Sequence, residues 1–308
     1  MENRQLKLQL KPRAIFFIYR ASHQISSKIP LTWAPAIATI FGAISYAVSA
    51  KKRRIVRANL RPVFSDGAFH ERVVFMAFIS YAKFWFETFK LGSMSKENVR
   101  EMGRQENLDL FYDAIKDGRG VIAVAPHLGN WDFGAAWIDE SRAISNAVVE
   151  ALDPPELFEW FVKFRSKFGL NAIAHDDNPM PKLIDAIRRN EAVALVADRA
   201  LGSATVEVEF FSRRVALPLG PAFLALRTNA PLLPMACFME PKGGHVLRVL
   251  PEIHIGDRKG LKEDAARITQ EIARAFEVLI RIAPEQWHAF SPIFPEVFDE
   301  NDPSHHGR

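Results

Sequence analysis

Val121-Ile-Ala-Val-Ala-Pro-His127-Leu-Gly-Asn-Trp-Asp132-Phe-Gly134 is the stretch from which the rest of the chain is read. Five apolar, partly β-branched residues follow Gly118-Arg-Gly120 and predict a short buried strand. Pro126 stops that strand and His127 comes directly after it. Asp132 stands five positions later, inside a run that starts a helix. Residues five apart on one helix point about 140° away from each other, so His127 and Asp132 share no helical face. They meet only if His127 lies on the loop and Asp132 reaches back from the first helical turn. An imidazole at the C-terminal end of a strand occupies the place where α/β proteins bind ligands. A carboxylate beside it would fix the ring tautomer and support the imidazolium. The plainer reading is a helix-capping histidine next to an acid that favours the N-terminal turn.

Composition narrows the class. A chain of 308 residues, 48% hydrophobic and 25% charged, is globular rather than disordered or multi-spanning. Its one cysteine, Cys237, excludes an internal disulfide framework and a thiolate metal cluster. None of the nine histidines falls in an HxxxH or HExxH pattern, and His305-His306 sit in a polar tail. Charge is unevenly distributed. Residues 1–61 hold twelve Lys and Arg against Glu2 alone, a balance of +11, so a net charge of +4 leaves about −7 for the remainder. A basic N-terminal region on an acidic body calls for an anionic surface as partner.

The residues between those charges point to lipid. Residues 12–20 form an apolar patch bracketed by arginines, and Ile29 to Ala50 runs twenty-two residues without a charge, ending at Lys51-Lys-Arg-Arg54. Pro30 and Pro35 restrict the helix to about Pro35–Ala50, roughly 24 Å long, short of the roughly 30 Å hydrocarbon core. Thr39, Gly42, Tyr46 and Ser49 gather small and polar residues on one stripe. The expectation is a helix packed on the protein body with its greasier face in the headgroup layer and its basic cluster on anionic phosphates, a true span and an ordinary core helix being the alternatives. No order of charged n-region, apolar core and cleavage site marks a signal peptide. Residues 66–91 are strongly aromatic and read as a helix packed on the sheet, with rings available to an acyl-chain groove. Basic residues alternating with a long apolar run argue for lipid and against nucleic acid.

From residue 107 helix and strand alternate. Helices are expected at about 107–117, 131–141, 156–167 and 179–190, and strands at 121–125, 147–152, 171–174 and 192–197. A hairpin follows at 206–211 and 215–217 with 212–214 as its turn. After it come a helix at 222–228, closing strands at 231–239 and 246–249, and a long helix at 263–282. The fold class is α/β, a mainly parallel sheet flanked by helices with an N-terminal membrane-facing helical region. The expected organisation is a single domain over 1–298 and a disordered tail at 299–308. Dinucleotide, nucleoside triphosphate and G-x-S-x-G fingerprints are missing. Asp198 stands at the end of the 192–197 strand, a second acid at a strand's C-terminal end.

Pro126-His127-Leu-Gly-Asn-Trp-Asp132 resembles the H-x4-D/E block of glycerolipid-type acyltransferases, specifically the bacterial lipid A acyltransferase superfamily. Further blocks agree in order: Tyr81, Phe84-Trp85 and Glu87; Phe164-Arg165-Ser-Lys-Phe-Gly169; Ala197-Asp198-Arg199; Phe210-Phe211; Pro218-Leu-Gly-Pro-Ala222; and Trp287 with Pro292. The resemblance covers roughly residues 50–295, and its form is most similar to the actinobacterial phosphatidylinositol mannoside acyltransferases. Asp198-Arg199-Ala200-Leu201 matches the acid-Arg-x-Leu element of that branch, with Ala200 in place of a second acid.

The resemblance implies a mechanism. His127 acts as general base on a sugar hydroxyl that attacks a fatty acyl thioester. Asp132 or Asp198 orients the ring, and the mannoside branch points to Asp198. Backbone amides at the start of the 131–141 helix are placed to steady the oxyanion. Arg165 aligns with an arginine that contacts donor or acceptor, its plainer reading being a snorkelling residue. Arg199 suits the phosphate or sugar of the acceptor. Arg227 joins the substrate-binding set, although the mannoside branch tends to have an acid there. The implied partners are acyl-CoA or acyl carrier protein as co-substrate, with no cofactor and no metal, and an anionic membrane glycolipid reached from the cytoplasmic face. A lipid A precursor is the alternative acceptor, and a catalytically silent membrane-binding module is the non-enzyme alternative.

Overall fold

The computed structural model describes residues 12–64, 67–138, 143–149, 155–174, 179–200, 202–241, 243–256 and 258–294. The expected tail at 299–308, the first eleven residues, the strand end at 150–152, the helix opening at 153–154 and Leu201 lie outside the described residues. Five helices come first: α1 (Pro12–Lys28), α2 (Ala34–Val48), α3 (Ala50–Leu60), α4 (Glu71–Leu91) and α5 (Lys96–Arg100). Then follow β1 (Gly103–Glu106), α6 (Asp109–Lys116), β2 (Val121–Ala125), α7 (Trp131–Trp137), β3 (Ser145–Val149), α8 (Pro155–Ser166), β4 (Leu170–Ala174), α9 (Met180–Arg188) and β5 (Ala192–Val196). The chain continues through β6 (Thr205–Phe210), β7 (Arg213–Pro218), α10 (Gly220–Thr228), β8 (Leu232–Met239), β9 (His245–Val249) and α11 (Leu261–Ile282).

Seven strands form one sheet in the order β1-β9-β8-β2-β5-β3-β4, parallel except for the β8–β9 pair, so the expected mainly parallel α/β architecture is the one found. β2 sits in the middle, and a central parallel strand is covered on both faces. Its alternation sorts the two cores. Ile122 and Val124 point to the side of Leu183, Leu224 and Ile272 on α9, α10 and α11. Val121 and Ala123 point to the side of Phe111, Phe133 and Phe161 on α6, α7 and α8.

Several local readings change. β1 was not expected, because Gly-Arg-Gln-Glu carries no apolar alternation. It is a charged edge strand, a type that resists further pairing. Gly103 lets it approach β9, since a Cβ there would lie 2.0 Å from the His245 carbonyl oxygen. The hairpin turn is Phe211-Ser212 rather than 212–214. Both residues have positive φ (49° and 58°) and Phe210 pairs with Arg213, the geometry of a two-residue type I′ turn. α7 ends at Trp137, not 141, because Ile138 is already extended. β3 begins at Ser145 rather than 147.

α2 lies along α4. The packed stripe is Ala34, Ala38 and Gly42, with Tyr46 edge-on to Phe75 and Phe78. Thr39, expected on this stripe, is exposed. A Cβ on Gly42 would come within 2.6 Å of Ile79 Cα, so glycine sets how closely the helices approach. The other face leaves Trp33, Ile40, Phe41, Ile44 and Val48 uncovered. Leu31–Val48 is long and apolar enough to cross a membrane, with a mean hydropathy of 1.5 over 18 residues.

Candidate active site

Strand register brings the site together. Ala125 on β2 pairs with Val196 on β5, and the Ala197 amide donates to the Ala125 carbonyl at 3.0 Å. Two residues further along each strand stand His127 and Asp198. The parallel neighbours therefore present an imidazole and a carboxylate side by side at their C-terminal ends. His127 Nδ1 lies 2.5 Å from Asp198 Oδ1, and the His127 amide donates to Asp198 Oδ2 at 3.0 Å. An ionised carboxylate only accepts, so Nδ1 carries a proton, and in the neutral ring Nε2 holds the lone pair. Nε2 makes no hydrogen bond among the described residues, and the ring is partly exposed while the carboxylate is buried.

Burial alone would raise the Asp198 carboxyl. The charge of His127, its ring hydrogen bond, the Trp287 indole and the His127 amide outweigh burial and hold the carboxyl below its ordinary value. Trp287 Nε1 donates to Asp198 Oδ2 at 2.7 Å. Its neighbours close over the loop that carries His127: the His288 amide donates to the His127 carbonyl at 2.8 Å and the Gly129 amide to the Gln286 carbonyl at 3.0 Å. Sequence reasoning noted Trp287 only as part of the resemblance. In the structure it is a fully buried indole whose N–H needs an acceptor, which the sequence does not show.

Asp132 does not touch the ring. Its carboxylate accepts from Arg165 Nε at 2.9 Å and from Thr88 Oγ1 at 3.4 Å. The acid of the H-x4-D block thus sets Arg165, which lies over the Phe161 ring, and Asp198 takes the position at the imidazole. The expected amide oxyanion donors are also reduced. The Leu128, Gly129, Asn130 and Phe133 amides donate to the Pro126 carbonyl, the Gln286 carbonyl, the Cys237 carbonyl and Asn130 Oδ1.

A buried polar network fixes the loop from below. Asn130 caps α7 with Oδ1 and donates through Nδ2 to Glu87 at 3.1 Å, while His245 Nε2 meets the same Glu87 oxygen at 3.0 Å. Burial would raise Glu87, but the His245 hydrogen bond and charge, Lys83 and Asn130 bring it below the ordinary value. Gly129 crosses β8 at φ +64°, and a Cβ there would sit 2.0 Å from the Cys237 carbonyl oxygen. Gly129→Ala is therefore expected to cost about 2 kcal/mol or more and to displace His127. Urea denaturation checks this, and wild-type stability would show that the loop tolerates a Cβ.

From His127 a cavity of about 420 Å³ runs along the sheet face. Its floor is a lateral row of alanines: Ala123 pairs with Ala194, which pairs with Ala147, across three adjacent strands. Trp85, Phe111 and Phe161 line it from the helices, and Ile138 from the segment that follows α7. Methyl side chains hold the sheet away from these rings and leave an apolar channel. Arg199, His288, Phe290 and Ser291 border it near His127, and Arg199 Nη1 donates to Ser291 Oγ at 3.4 Å.

Arg227 is not in this assembly. It is exposed in the last turn of α10, five residues before β8 begins. That is the N-terminal end of the parallel strands, opposite His127. It lies over Phe223 and faces α9 beside Asp185 and Arg188. Its place in the substrate-binding set came with the resemblance, whose mannoside branch tends to have an acid there.

Residues 1–295 match the family model described as bacterial lipid A biosynthesis acyltransferase. The chain is 32% identical over 216 residues to the phosphatidylinositol mannoside acyltransferase of Mycolicibacterium smegmatis, covering 69% of each. It is 33% identical over 221 residues to the protein of the same name from Mycobacterium tuberculosis H37Rv, covering 69% of this chain and 67% of that one.

Proposed function

The chain belongs to the bacterial lipid A biosynthesis acyltransferase family, and from that premise we propose that it moves a long-chain acyl group from acyl-CoA to a mannose hydroxyl of a phosphatidylinositol mannoside. The observation that carries the reading is a His–Asp pair at one end of an alanine-floored apolar cavity. The acyl chain lies along that floor, which places its thioester at His127. Nε2 takes the proton of the sugar hydroxyl as the oxygen attacks the thioester carbonyl. Collapse of the tetrahedral intermediate breaks the C–S bond, and the protonated ring returns its proton to the departing CoA thiolate. The thioester is already activated, so no serine or cysteine nucleophile and no cofactor is called for. Cys237 suits no such role, since burial pushes its thiol well above the ordinary value.

Asp198 keeps the proton on Nδ1 and supports the imidazolium. Arg165, held by Asp132, and Arg199 offer cationic donors to the substrates. The uncovered face of α2 enters the headgroup layer from the cytoplasmic side, with the basic run 51–54 on anionic lipid.

The test is a transfer assay with purified protein, palmitoyl-CoA and liposomes carrying dimannosylated phosphatidylinositol, run in parallel with a lipid A precursor. Acylation of the mannoside is the expected result. Acylation of the precursor alone would move the acceptor to the other branch, and release of free CoA with neither acceptor would remove the transferase reading.

A further inference from the structure

We propose that Lys52 is the phosphate-binding residue of the acceptor site, holding the phosphodiester that joins the sugar to its lipid; this rests on the acyl-transfer reading above. An acceptor anchored in a bilayer with its sugar at His127 must place its phosphate at the boundary between the membrane face and the cavity. Val48 ends the uncovered face of α2, and Lys52 follows four residues later on α3. Of the basic run 51–54, Lys52 is the member that also lines the catalytic cavity, together with Arg199 and Ser291.

Two of its basic neighbours on α3 are engaged elsewhere. Arg53 donates to the Tyr46 and Ala47 carbonyls at the end of α2, and Arg57 pairs with Glu71. Lys52 Nζ donates to the Phe290 carbonyl at 2.9 Å. An ammonium has three donors, and the other two make no hydrogen bond among the described residues. The position is also braced. Asn59 Nδ2 donates to the Ala289 and Ser291 carbonyls at 2.9 and 2.7 Å, and its Oδ1 accepts from the Ile293 amide at 3.1 Å. α3 is thus bound to the segment that runs from Trp287 and His288, so Lys52 is held at a set distance from the His127–Asp198 pair. A compact ammonium at that point recognises a phosphate oxygen as a point charge.

Coenzyme A also carries phosphates, so the experiment separates the two sources. Binding is measured by titration calorimetry for three soluble probes: the deacylated glycerophosphoinositol mannoside, the same inositol mannoside without phosphate, and CoA. Wild type, Lys52→Gln and Arg54→Gln are compared; Arg54→Gln removes an equal charge from the same helix outside the cavity. Lys52→Gln is expected to weaken the phosphate-bearing headgroup about tenfold and to leave the phosphate-free headgroup and CoA unchanged. Arg54→Gln is expected to leave all three unchanged. Equal weakening by both variants, no discrimination between the two headgroups in wild type, or a loss confined to CoA would each overturn the assignment. Because binding is read without turnover, a phosphate preference in a protein that transfers no acyl group would keep the subsite and discard the transfer reading.

Discussion

His127→Ala is expected to lower acyl transfer by about 10³-fold, within the range for losing a positioned general base, while liposome association stays at the wild-type level. The fold should survive, because the backbone groups of residue 127 remain. Its amide still reaches Asp198, and its carbonyl still accepts from the His288 amide. Asp198 loses its imidazole partner but keeps the Trp287 indole and the residue 127 amide, so stability should fall by only about 1–3 kcal/mol. Initial rates at saturating acyl-CoA, with a thermal unfolding scan of the same preparation, check both halves. A variant as active as wild type would remove the His-base reading.

The second histidine cannot stand in for the first. His288 is buried against Ser80 and Tyr81, and burial, assisted by the charge of His127 and opposed by that of Asp198, pushes its imidazole down to about 3. It is therefore neutral wherever the enzyme would be assayed. His288 therefore supplies no acid limb to kcat/KM between pH 5 and 8.

Sequence legibility differs between the sheet and the site for a physical reason. β2 and β5 are written locally, as β-branched runs ended by Pro126 and by Asp198. That the two strands are neighbours is not written locally, since strand order is set by which helices cover which face. Spacing therefore offered Asp132 as the partner of His127, and only the resemblance pointed to Asp198. The alanine floor was hidden for a similar reason. Ala123, Ala194 and Ala147 read as ordinary buried strand positions, and they become a channel only when register puts them in one row. β1 escaped because an edge strand can be entirely polar. α2 was legible as an apolar stretch, but its seat on α4 follows Ala34, Ala38 and Gly42, where polarity had suggested Thr39.

Asp198→Asn should reduce transfer on the order of 10³-fold or more with little change in shape, because it exchanges a tautomer rather than a volume. Three donors converge on this side chain: the ring N–H on Oδ1, and the His127 amide and Trp287 indole on Oδ2. An asparagine has one acceptor oxygen. If its amide nitrogen takes the Oδ2 place, it faces two N–H groups that cannot move. If it takes the Oδ1 place, it faces only the imidazole, which can shift its proton to Nε2 and accept at Nδ1. The second arrangement costs less, and it removes the lone pair that would take the sugar proton. Stability should report the same substitution through pH. The Asp198 carboxyl is held below its ordinary value, so its contribution is fully present above about pH 4, the unfolded value, and is lost as pH falls through the lowered folded value. The difference in unfolding free energy between wild type and Asp198→Asn should therefore shrink as pH falls below about 4. A gap that stays open at low pH would mean that Asp198 is not the ionised partner of His127.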